Sequence, residues 1–123
     1  VTIAACGVEI DEALKAADAL AERGISAEVI DAYSIKPLDE ECILASVRKT
    51  GCIVTAEEHS VIGGLGGAVA ETLAENLPAP LVRVGMRDCF GTSGEMAELM
   101  REFVLCAQGI VEAAEAAIAK KNN

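Results

Sequence analysis

TAEEHSVIGGLGGAVAETLAEN, residues 55–76, decides how this chain folds. The apolar, β-branched run GCIVTAE (51–57) leads into it, and a dense glycine cluster, Gly63-Gly64-Leu65-Gly66-Gly67, follows. Beyond the glycines, Leu65, Ala68, Val69 and Leu73 recur at helical spacing, with Pro78 past the end. A strand that passes through a tight turn into a helix is the first half of a βαβ crossover, and crossovers imply parallel strands.

The same alternation extends in both directions. Three further strand-like runs are VTIAAC (1–6), SAEVIDA (26–32) and PLVRVGM (80–86), and they are near-continuously apolar, as strands covered on both faces are. Between the first two, Ile10, Ala13, Leu14, Ala17, Leu20 and Ala21 share one helical face, and Gly24 is placed to stop the helix. The next helix opens on Asp39, Glu40 and Glu41 and closes on Arg48 and Lys49 before Gly51, matching the helix dipole at both ends. Two more are expected near 94–103, with Thr92 and Glu95 at capping-box spacing, and near 108–120. The expected fold is α/β: a three-layer α/β/α sandwich on a mainly parallel sheet of about four strands, in order 2-1-3-4. One domain over residues 1–123 is expected, with 119–123 (AKKNN) as a frayed tail.

Composition excludes several functions. A net charge of −10 opposes nucleic acid, which needs clustered Lys and Arg, and one Tyr with two Phe make no base-stacking platform. No apolar run approaches the roughly 20 residues of a spanning helix. No basic-then-apolar leader stands at the start, so a cytoplasmic location is expected. The five cysteines form no C-x-x-C and there is one histidine, so no zinc site of usual spacing is present. Cys6 and Cys52 read as small core residues of strands in a reducing compartment.

The glycine cluster admits three readings. Gly64-Leu65-Gly66 begins a dinucleotide fingerprint, but the third glycine position is Val69, and no lysine follows as a P-loop requires. Glu57 and Glu58 stand where an anion would approach the helix N-terminus. His59 has the titration range of a general base, yet no G-x-S-x-G elbow or other nucleophile is placed beside it. The glycines have a structural use instead, since a helix start without Cβ atoms can approach a sheet or a neighbouring chain closely. In the 2-1-3-4 order, the loops after strands one and three diverge into the crevice where open sheets bind. Its rim is Gly7-Val8-Glu9, Glu57-Glu58-His59, Asp31, Arg87 and Asp88, an acidic set suited to a basic partner surface or a metal. Cys6-Gly7 replaces the paired acids of a receiver-type phosphoacceptor.

Four ordered motifs carry a resemblance: VTIAACG (1–7), GISAEVIDAYSIKPLDEE (24–41), GCIVTAEEHSVIGGLGGAVAE (51–71) and RVGMRDCFGTSGE (83–95). Together they resemble the C-terminal domain of the transketolase family, in particular the C-terminal portion of short or split prokaryotic transketolases. The D-x-F-G-x-S-G form at 88–94 favours that branch over deoxyxylulose-phosphate synthase and the β subunits of 2-oxoacid dehydrogenases, which are alternatives. A free-standing regulatory or binding module is another. The resemblance implies a transferase that, when complete, moves a two-carbon ketol unit between sugar phosphates with thiamine diphosphate and Mg²⁺. It implies partners in a pyrimidine-binding and a pyrophosphate-binding domain or subunit, a homodimeric assembly, and a short antiparallel strand upstream of the motifs seen here. This domain alone is expected to be catalytically incomplete, with no catalytic, cofactor-binding or metal residues of its own. Gly7, Glu57, Glu58, His59, Gly63, Gly64, Gly66 and Asp88 are then expected to form an inter-domain or inter-subunit contact. Before the last helix the family usually has a Ser or Thr cap. Here Cys106 and Gly109 stand in LCAQGIV, and losing such a cap costs about 1 kcal/mol, so a loose or shifted helix start is expected.

Overall fold

Strand β1 (Thr2–Ala5) is buried along its whole length, which requires cover on both of its faces. A computed structural model shows how that cover is built. It describes residues 1–33, 37–60, 64–86 and 106–123, with the backbone alone for residues 59, 60 and 86. The described elements run β1, α1 (Glu9–Glu22), β2 (Glu28–Asp31), α2 (Glu40–Thr50), β3 (Ile53–Ser60), α3 (Leu65–Asn76), β4 (Leu81–Met86) and α4 (Ala107–Lys121). All strand pairs are parallel and the sheet order is β2-β1-β3-β4, as expected from the sequence.

Alternation along β1 and β3 divides the core into two layers. Ile3, Ala5, Val54 and Ala56 face α1 and α4, meeting Ala13, Ala16, Leu20, Ile110 and Ala114. Ala4 and Ile53 face α2 and α3, meeting Ile43, Val47, Leu65, Val69 and Leu73. The buried stripe of α1 is Glu9, Ala13, Ala16 and Leu20. Leu14, expected inside, is 51% exposed, because small alanines let α1 lie close to the sheet and turn its stripe by about one residue. Cys52 is buried as expected, whereas Cys6 sits half-buried at the strand end, packed against the edge of the second core layer.

Helix boundaries follow local chemistry. Gly24 and Gly51 both take positive φ just past their helices, where they return amides to Ala21 and Val47 carbonyls. Asp39 caps α2 by accepting from the Cys42 amide at 3.2 Å. Asp39→Ala is expected to cost about 1 kcal/mol, a fall in Tm of roughly 4 °C, readable by circular dichroism on melting. Helix α4 starts at Ala107 and runs through Lys121, past the point where fraying was expected, and Lys121 Nζ donates to the Thr50 carbonyl at 3.0 Å. Cys106 supplies no side-chain cap there; Glu12 of α1 accepts from the Ala107 amide at 3.0 Å instead. The expected helix at 94–103 and its Thr92–Glu95 cap lie outside the described residues.

At the other end of the strands, Thr2, Ser46 and Glu28 form a polar chain between sheet and α2. Ser46 Oγ donates to Glu28 Oε1 at 2.6 Å, and Lys49 Nζ lies 2.6 Å from Glu28 Oε2. Hydrogen bonds from Lys49 and Ser46 hold the Glu28 carboxyl below its ordinary pKa.

Candidate functional site

The topological switch, where a crevice is expected, lies between the carboxyl ends of β1 and β3. β1 leaves the sheet at Cys6 and turns at Gly7, whose φ of +63° is one that glycine adopts without strain. A Cβ on Gly7 would lie 3.7 Å from Glu58 Oε1, so the two crevice loops meet there.

β3 is longer than its sequence pattern suggested and is irregular at its end. Ala56 pairs with Val84 and Ser60 with Met86, so four steps along β3 match two along β4. Such a bulge re-aims side chains, and Glu57 lies within it. Glu57 is fully buried on the α3 side; its Oε1 accepts from the Leu65 amide at 2.9 Å and its Oε2 from the Gly66 amide at 2.7 Å. A strand carboxylate thus caps the helix that follows it, satisfying two N–H groups that have no partner inside the helix. The Gly64 N-cap is extended, at φ −101°, and makes no side-chain cap hydrogen bond.

Gly66 is the glycine that packing demands. A Cβ there would meet Arg83 Cδ at 2.8 Å and Thr55 Oγ1 at 3.0 Å, whereas one on Gly67 would meet nothing within 4 Å. Of the expected contact residues, Gly7, Glu57, Glu58, Gly64 and Gly66 are gathered around this turn. The backbone of His59 lies in β3, and Gly63 and Asp88 lie outside the described residues.

The acids differ from the open rim the sequence suggested. Glu9 and Glu57 are both 0% exposed. Both Glu9 oxygens lack a hydrogen-bond partner, and burial, then Glu12 and Glu58, push its carboxyl up to about 7. Burial also pushes the Cys6 thiol up, with Glu57, Glu58, Glu9 and Asp31 adding to it. A thiol so placed is a poor nucleophile. Among the described residues no group of three or more His, Cys, Asp or Glu is arranged to hold a metal. Nor is any described helix long and apolar enough to cross a membrane.

Sequence reasoning placed Glu9 on an open rim, where the structure buries it, and did not single out Glu12. Their signal was faint: acids in the first turn of α1, which usually face water near a helix dipole. A groove of about 710 Å³ lies beside the outer strand β2, lined by Val29, Asp31, Tyr33, Pro37, Leu38 and Ile43 among others, so Asp31 of the expected rim opens onto it.

Known proteins share this frame. A 6-deoxy-6-sulfo-D-fructose transketolase subunit from Clostridium sp. (strain MSTE9) is 54% identical over 99% of this chain, which spans 38% of that relative. A 1-deoxy-D-xylulose-5-phosphate synthase 1 from Geobacter sulfurreducens is 45% identical over 98% of the chain and 19% of its own length. A solved split gene transketolase, described as an inactive beta4 tetramer, superposes with a TM-score of 0.94 at 49% identity, over 98% of this chain and 39% of that one. The chain therefore spans less than two-fifths of the length of these relatives. With the transketolase C-terminal domain model matching residues 1–110 as well, the chain belongs to the transketolase C-terminal domain family.

Proposed function

We propose that this chain is one C-terminal domain, over residues 1–123, of a thiamine diphosphate-dependent transketolase, and that it supports packing and subunit assembly without holding the cofactor. The observation that carries the second half is Glu57. A diphosphate bound at the α3 N-terminus would need the Leu65 and Gly66 amides, and both already donate to a buried carboxylate of the same chain. The first half rests on the family and on relatives that are transketolase subunits. The complete cytoplasmic enzyme would move a two-carbon ketol unit between sugar phosphates, using thiamine diphosphate and Mg²⁺ held by pyrimidine-binding and pyrophosphate-binding domains or subunits.

The crevice loops around Gly7, Glu57, Glu58, His59, Gly63, Gly64, Gly66 and Asp88 serve as a contact with those parts. The apolar groove along β2, where Tyr33 is 90% exposed, is a second place for further chain to pack, in keeping with the short antiparallel strand expected upstream. The 45% identity to a deoxyxylulose-phosphate synthase favours that reaction as the second reading, with the same role for this domain.

Calorimetric titration of thiamine diphosphate and Mg²⁺ into the chain tests the cofactor statement. No binding heat is expected, and saturable binding in the micromolar range would overturn it. Co-purification with a pyrimidine-binding subunit, with light scattering giving a two-fold assembly, tests the partner statement. Failure of the two to associate at micromolar concentration would sink it.

A further inference from the structure

Among the described residues most buried polar groups are accounted for, the Thr55 hydroxyl and the Glu9 carboxyl excepted: Glu57 caps α3, Glu12 caps α4, and Thr2 and Ser46 join Glu28. Glu9 is different. It stands in the first turn of α1, directly after the Gly7 turn, fully enclosed, with neither oxygen hydrogen-bonded. An ionised carboxylate in such a place loses its hydration with nothing to replace it, whereas a neutral acid loses far less.

The surrounding charges reinforce that preference. Glu12, one turn along α1, and Glu58, from β3, repel a charge on Glu9. Cys6 at the end of β1 and Asp31 at the end of β2 belong to the same acidic neighbourhood. From α4 comes the Ala107 amide, but Glu12 takes it, and Lys15 is 3.6 Å from Glu12, not paired with Glu9. The charges that bear on Glu9 among the described residues are therefore two acids, Glu12 and Glu58, and no described cation is paired with it.

We propose that Glu9 is a proton-operated latch on the crevice between β1 and β3. Carrying its proton, it stays enclosed against the Gly7 turn; on losing it, the side chain turns out to water and unseats the first turn of α1. Gly7 is the hinge, since its left-handed backbone is the point where the chain leaves β1. The latch works in a physiological range because burial holds the Glu9 carboxyl at about 7.

The sign follows from proton linkage. Between the ordinary carboxylate value of 4.5 and about 7, the folded chain keeps a proton that the unfolded chain has released. Stability from Glu9 is thus fully present below 4.5 and lost as pH rises to about 7. The Glu28 carboxyl, held low by Lys49 and Ser46, acts in the opposite sense and only at more acid pH, so the two windows do not overlap.

The experiment is a carbon-13 NMR titration of the Glu9 carboxyl in the intact chain, paired with urea unfolding and amide hydrogen exchange from pH 5 to 8. The expected midpoint is near 7. The unfolding constant of the wild type should rise with pH in that interval by up to about tenfold per unit relative to Glu9→Gln, which cannot ionise. Amides of residues 7–10 should exchange faster at pH 8 than intrinsic base catalysis explains in the wild type, but not in Glu9→Gln. Glu58→Gln should keep the step and move its midpoint down. A Glu9 midpoint near 4.5, or parallel wild-type and Glu9→Gln profiles, would overturn the proposal. All of these are read on the free chain, so they succeed or fail independently of the contact proposed for the crevice.

Discussion

Glu57→Ala should destabilise the chain by about 2–4 kcal/mol, because it leaves two buried amides without an acceptor. Those amides, of Leu65 and Gly66, are enclosed within the second core layer and now lie 2.9 and 2.7 Å from carboxylate oxygens. No nearby side chain replaces the carboxylate, since the Gly64 N-cap has none. Glu57→Gln should recover part of the loss, because an amide offers one acceptor oxygen but presents an N–H to the second donor. The expected stability order is wild type, Gln, Ala, measured as urea midpoints with an unchanged m-value. A loss below about 0.5 kcal/mol for Ala would mean that the cap is replaced by water or by a shifted α3.

This cap also shows where sequence reading reached and where it stopped. Strands and their order were legible because two-sided burial writes continuous apolar runs, and parallel strands joined by helices leave few topologies. Helix ends at Gly24 and Gly51 were legible because the stop lies in the glycine itself. The caps of α3 and α4 were not, because they come from Glu57 and Glu12, placed 8 and 95 residues from the amides they serve. An acid at a strand end carries the same letters whether it faces solvent or a helix. The β3 bulge that aims Glu57 is likewise a property of pairing with β4, not of the local pattern. The burial of Glu9, which the sequence placed on an open rim, was hidden for a related reason: helical periodicity is scored on apolar residues, so a buried stripe that begins with an acid looks rotated.

The opposite behaviour of two adjacent glycines is the second large effect. Gly66→Ala should cost about 1–3 kcal/mol, the range for overpacking a filled core, even though alanine favours a helix. The new Cβ would lie 2.8 Å from Arg83 Cδ and 3.0 Å from Arg83 Cγ on β4, and 3.0 Å from Thr55 Oγ1 on β3. Thr55 is fully buried and Arg83 partly buried, so relief requires the Arg83 side chain to shift or α3 to lift from the sheet. Lifting α3 would in turn lengthen the Glu57 bonds, which links this effect to the preceding one. Gly67→Ala meets no atom within 4 Å and should instead stabilise the helix by about 0.5–1 kcal/mol. Urea midpoints of the two single variants should therefore fall on opposite sides of the wild type. If Gly66→Ala equals or exceeds Gly67→Ala, the Arg83 side chain gives way and Gly66 does not set the distance between α3 and the sheet. If the order holds, the glycine cluster is divided by function: Gly66 sets the distance between α3 and the sheet, and Gly67 is dispensable for packing within this chain. A contact surface would add a different demand at Gly67, visible as weaker assembly of a more stable variant.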